Sequence, residues 1–161
     1  MPRIGVVSDT HGLLRPEAEA FLKGSDVILH AGDIGSPEIL ERLSAIAPVN
    51  AVRGNNDVGA WADALPEVAL LQIEDVRILL LHDLAQIEER AETRDAGVVV
   101  SGHSHKPALR TVDGVLYLNP GSAGPRRFTL PVSVAELTVS GASIDARIVE
   151  LPVPGKRLRR R

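Results

Sequence analysis

The chain of 161 residues has no cysteine. That excludes disulfides, thiol nucleophiles and thiolate metal sites. Aromatic residues are nearly absent: one Trp, one Tyr and two Phe. Nothing in Trp61 or Phe128 identifies a base or a lipid as a ligand. No apolar run approaches the roughly 20 residues a membrane-spanning helix needs. Met1-Pro2-Arg3 leads straight into an apolar stretch, without the layout of a signal peptide. A cytoplasmic location is the expectation. The net charge is −3, yet five of the basic residues fall in the last six positions. The remaining body is acidic, so a nucleic-acid groove is not expected. Residues 156–161 read as a solvated basic tail behind one domain over residues 1–155.

What is present is ordinary for a globular protein: 44% hydrophobic and 24% charged residues. Ile4–Val7, Val27–Leu29 and Val49–Val52 read as short strands. Between them, helices are expected at 16–23 and from Pro37 to about Ile46, the second capped by Ser36. This alternation predicts a parallel βαβαβ start. Hairpins follow at Val68–Ile73 with Val76–Leu81, Leu109–Val112 with Val115–Leu118, and Val132–Val139 with Ile144–Leu151. Residues 85–95 read as a helix. Val98 to Val100 reads as a strand buried on both faces.

Five of these strands end in polar residues: Asp9 and His11, then Asp33, then Asn55, then His82, then His103 and His105. Sites in open α/β sheets form beyond the carboxyl ends of strands. Four of the five histidines lie in these clusters. Taken alone, His103-Ser104-His105 fits a surface loop as well as a metal site. In extended backbone the two rings would point the same way. Together the seven residues offer only oxygen and imidazole donors. That suits Mn²⁺, Fe, Zn²⁺, Ni²⁺ or Co²⁺ rather than a structural zinc. Seven donors exceed the needs of one ion. Two ions sharing a carboxylate would use them, and Asp33 is placed to be shared.

At these residues the sequence resembles the calcineurin-like metallophosphoesterase superfamily, in its small single-domain phosphodiesterase branch. The matching motifs are Asp9-Thr10-His11, Gly32-Asp33, Gly54-Asn55-Asn56-Asp57, His82 and Gly102-His103-Ser104-His105. The Asn119-Pro120-Gly121-Ser122 loop fits the branch too. The resemblance implies an α/β fold, a four-layer α-β-β-α sandwich with two facing mixed sheets. It implies one ion on Asp9, His11, Asp33 and His105, and a second on Asp33, Asn55, His82 and His103, with Mn²⁺ the foremost candidate. The implied function is phosphodiester hydrolysis by a hydroxide bridging the two ions. Asn56 stands where many relatives carry a protonating histidine. Asp83 stands where a glycine is common.

Arg53 is a candidate phosphate contact, with a surface ion pair as the alternative. Asp57 is expected to orient a neighbouring ligand, and a helix cap is its plainer role. His30, three residues before Asp33, is expected in the core or supporting the site. Ser8 and Ser104 read as packing or turn residues. Specificity is expected from the loops around 57–66 and 119–131. A non-catalytic scaffold on the same fold, as in the retromer's phosphoesterase-like subunit, is the alternative from another class. A phosphomonoesterase or nucleotide pyrophosphohydrolase is the third. The substrate is expected to be a small phosphate ester, with no membrane partner. Exposed hairpin edges leave a homodimer open.

Overall fold

The computed structural model describes residues 1–85, 95–127 and 129–153. Most of the helix expected at 85–95, Phe128 and the basic tail lie outside the described residues.

The chain alternates at first. The elements are β1 (Arg3–Val7), α1 (Pro16–Leu22), β2 (Val27–His30), α2 (Pro37–Ser44) and β3 (Val49–Ala51). Then come α3 (Ala60–Asp63), β4 (Val68–Ile73), β5 (Val76–Leu81), β6 (Val98–Val100), β7 (Ala108–Val112), β8 (Val115–Asn119), β9 (Ser133–Ser140) and β10 (Ser143–Glu150). Two five-stranded sheets result, ordered β10-β9-β1-β2-β3 and β4-β5-β6-β8-β7. In the first, β1, β2 and β3 run parallel while β9 and β10 are antiparallel. In the second, β5, β6 and β8 run parallel and the edge strands β4 and β7 are antiparallel. Both sheets are therefore mixed.

The apolar runs explain how the sheets stack. A strand buried on both faces has no polar side to show, so it reads as continuous hydrophobic sequence. In β5, Ile78 and Leu80 face the core between the sheets, and Leu79 and Leu81 face outward. In β6, Val98 and Val100 face inward and Val99 outward. Across the gap stand Ile4, Val6 and Leu29 from β1 and β2, with Ala135 and Leu137 from β9. Helices α1 and α2 cover the outer face of the first sheet, burying Ala18, Leu22, Ile39 and Leu43 against Val7 and Ile28. The α/β sandwich with two facing sheets expected from the resemblance is present.

Two local expectations need correction. Ser36 has the extended backbone of an N-cap, but its side chain makes no cap hydrogen bond. Pro37 lacks the first amide in any case. The third strand is one residue shorter than expected, ending at Ala51. Among the described residues no helix is long and apolar enough to cross a membrane.

Candidate metal centre

Because β1, β2 and β3 run parallel, Asp9, Asp33 and Asn55 emerge at one end of the first sheet. His82 follows β5 and the 102–105 loop follows β6, at the matching end of the second. Backbone bonds tie neighbouring loops together. The Asp9 and His11 amides donate to the carbonyls of Gly32 and Asp33, at 3.0 and 2.9 Å. The Gly102 amide donates to the His82 carbonyl at 2.9 Å. The two sheets are joined by the His103 amide, which donates to Asp9 Oδ2 at 3.2 Å.

The loops are tightly wound. Asp9, His11, Asp33, His103 and His105 all have positive φ, from 46° to 73°. L residues seldom adopt that conformation, and it persists only where surroundings enforce it. Outside hairpin turns, these candidate ligands account for every such residue other than glycine among the described residues. This corrects the expectation for His103 and His105. The extended backbone ends at Val100, and the two rings part. His103 Nδ1 lies 3.3 Å from His82 Nε2, whereas His105 Nε2 lies 3.4 Å from His11 Nε2. Two motif glycines are needed for close approach. A Cβ on Gly54 would collide with the Asp33 backbone and carboxylate, and one on Gly102 with the Ser8 hydroxyl.

Asp9 is fully buried. Its Oδ2 accepts from the Ser8 hydroxyl at 2.8 Å as well as from His103. Its Oδ1 is buried with no hydrogen-bond partner, as is His105 Nδ1. That oxygen lies 3.6 Å from His105 Nε2 and 3.8 Å from His11 Nε2. Such an orphaned acceptor is costly unless a cation or proton meets it. Burial raises the Asp9 pKa, against the Ser8 hydroxyl and the histidines.

Asp33 is held at both oxygens. Its Oδ1 accepts from the Asn56 amide at 2.9 Å, and its Oδ2 from Asn56 Nδ2 at 3.1 Å. Oδ2 also lies 3.3 Å from His82 Nε2 and 3.8 Å from His11 Nε2, so one oxygen faces a histidine from each sheet. Burial works to raise its pKa, but the His82 ring and the Asn56 amide outweigh burial and hold it well below the carboxylate range. His82 Nδ1 donates to the Ala31 carbonyl at 2.7 Å. That bond leaves Nε2 as the nitrogen facing Asp33. Burial pulls the His82 pKa down, but Asp33 and the Ala31 carbonyl carry it upward. His105 moves down, through burial first.

The donor atoms of Asp9, His11 and His105 lie within 4.8 Å of one another, and so do those of Asp9, Asp33 and His82. The donor set is oxygen and imidazole around an unpartnered buried oxygen, and it fits a divalent cation. Asn55 is exposed and lines a cleft of about 330 Å³ that also touches His82, Asp57 and Asp83. Arg53 lines the same cleft, with its guanidinium 2.9 Å from Glu67 and 3.8 Å from Asp63. The Asp57 carboxylate accepts from the amides of Ile34, Gly35 and Gly54 at 2.9–3.1 Å. It thus fastens the Asp33 loop to the Asn55 loop.

Sequence reasoning missed the work of Asn119. Its Nδ2 donates to the Gly102 carbonyl at 3.0 Å and to Ser104 Oγ at 3.1 Å, bracing the loop of His103 and His105. Ser122 Oγ donates to the Asp9 carbonyl at 3.0 Å. The Asn119-Pro120-Gly121-Ser122 motif pointed to this loop without saying what it holds.

The chain is similar to known proteins along most of its length. A model of the calcineurin-like phosphoesterase superfamily domain matches residues 2–142. A probable metallophosphoesterase of Methanothermobacter thermautotrophicus is 39% identical over 166 residues, covering 94% of each chain. A protein of Methanocaldococcus jannaschii named a phosphodiesterase is 28% identical over 137 residues, covering 74% of this chain and 82% of its own. Among solved structures, Chaetomium thermophilum Vps29 superposes with a TM-score of 0.77 at 20% identity, covering 94% of this chain and all of that one.

Proposed function

Because the chain belongs to the calcineurin-like phosphoesterase superfamily, we propose that it is a metal-dependent phosphodiesterase acting on a small organic phosphate. One observation carries the reading. Asp9 Oδ1 is buried and unpartnered in front of His11 and His105. Asp9, His11, Asp33 and His105 would hold one divalent cation; Asp33, Asn55, His82 and His103 would hold a second, with Mn²⁺ the first choice. Bound there, such ions supply positive charge to the phosphoryl oxygens and lower the pKa of attacking water.

The protein's own groups set the stage for that chemistry. Asn56 clamps Asp33 through both its backbone and its amide side chain. Ala31 fixes the His82 tautomer. Asn56 cannot titrate, so no protein acid stands at that position for a poor leaving group. Esters with stable leaving groups are therefore the better substrates.

The test is a panel of bis-aryl phosphate, aryl phosphate, cyclic nucleotides and dinucleoside polyphosphates, assayed after chelation and after adding Mn²⁺. Diester hydrolysis that chelation abolishes and Mn²⁺ restores is expected. Full activity after exhaustive EDTA dialysis, or turnover of monoesters alone, would refute the reading.

A further inference from the structure

Two clefts flank the candidate metal centre, and Asp83 lines both. The first is the polar cleft of Arg53, Asn55 and Glu67. The second, of about 340 Å³, lies on the outer face of the second sheet. It touches the centre through His103 and extends past Leu84, Lys106, Ala108, Arg110 and Tyr117. Strand alternation puts Tyr117 there: Leu116 and Leu118 face the core between the sheets, so Tyr117 faces out. The Arg110 guanidinium sits 5.7 Å from the centre of the Tyr117 ring.

Tyr117 is the one tyrosine in the chain, so an aromatic wall beside a histidine of the site is not a matter of abundance. A guanidinium over a ring gives a flat, cationic face on which planar groups stack. Lys106 and Arg110 are exposed, and among the described residues neither pairs with a carboxylate. Asp83 shares the cleft with them; its Oδ1 accepts from the Ala85 amide at 3.0 Å and its Oδ2 lies 4.0 Å from His103 Nε2. A diester has two organic arms leaving phosphorus, and a monoester has one. Two clefts meeting at the paired rings of His82 and His103 suit two arms.

We infer that the second cleft seats one arm of the diester, a planar aromatic or heteroaromatic ring carrying a further anionic group. The ring stacks on Tyr117 and Arg110, and Lys106 meets the anion. The inference rests on the phosphodiesterase reading and deepens it. It also moves specificity away from the loops where the sequence placed it, onto β7 and β8.

The experiment compares kcat/KM for 3-carboxyphenyl 4-nitrophenyl phosphate and methyl 4-nitrophenyl phosphate, using the Mn²⁺-loaded full chain. The wild type should prefer the carboxyphenyl diester. The preference should fall about tenfold in Tyr117→Leu and in Lys106→Ala, and persist in Tyr117→Phe. Calorimetric binding of 3-carboxyphenyl methylphosphonate, which lacks the nitrophenyl arm, should follow the same order. If both diesters are cleaved and the ratio is unchanged in Tyr117→Leu and Lys106→Ala, the subsite is wrong while the phosphodiesterase reading stands. If neither diester is cleaved with any divalent metal, the phosphodiesterase reading itself fails.

Discussion

Both nitrogens of His30 are engaged in the buried core. Thr10 Oγ1 donates to the Ile34 carbonyl at 2.8 Å, so it must accept from His30 Nε2, 3.0 Å away. His30 Nδ1 then accepts from the Gly32 amide at 3.0 Å. The ring is neutral, and protonating Nδ1 would break the bond that shapes the turn before Asp33. Burial accordingly lowers its pKa from 6.5 to about 3. The sign follows: the unfolded chain takes up a proton below 6.5 that the folded chain refuses. Stability from this group is complete above pH 6.5 and drains away as pH falls toward 3, by at most about 1.4 kcal/mol per pH unit. Unfolding of the metal-free protein at pH 7, 6 and 5 should show this slope, and His30→Gln should flatten it. Equal slopes in the two proteins would contradict the assignment. The sequence allowed this role because His30 lies on a strand, three residues before Asp33. It did not allow the directions of His103 and His105, because nothing in Gly-His-Ser-His announces two left-handed residues.

The elements were legible where their period was clean. Three hairpins were read from their turn residues, and the 68–81 pair was placed to the residue. Helix α3 was missed because four residues are too few to display a helical stripe. The loops were legible as positions of polar residues but not as bonded structures. Asn119 illustrates the gap. It closes β8, and its side chain crosses to the loop after β6. Replacing Asn119 with Ala would free the carbonyl of Gly102 and strip the Gly121 amide of its acceptor. A loss of about 1–3 kcal/mol in stability is expected. Mn²⁺ affinity should fall roughly 10–100-fold, as it does when groups supporting metal ligands are removed. Thermal melts and metal titration check both. Wild-type affinity in a destabilised Asn119→Ala would leave this residue a purely structural role.

At the scale of the molecule, the strands were readable because burial on both faces leaves them continuously apolar, whereas the two facing sheets came from the family resemblance. Their polar ends then stand out. What a linear reading could not supply is the meeting of two separate sheets. That meeting sets His82 against Asp33 at 3.3 Å and the His103 amide against Asp9 at 3.2 Å. Strand order within each sheet and packing between sheets are tertiary facts without a local signature. The same meeting leaves Asp33 Oδ2 between a histidine of each sheet, which is why one carboxylate is proposed to serve two ions.

The most direct test is to count manganese on the metal-free chain by equilibrium dialysis with elemental analysis, for the wild type and for Asp33→Asn at saturating Mn²⁺ and near the wild-type dissociation constant. The account predicts two ions per wild-type chain and joint weakening of both sites in Asp33→Asn. A single ion in the wild type, or two ions held with undiminished affinity by Asp33→Asn, would contradict it.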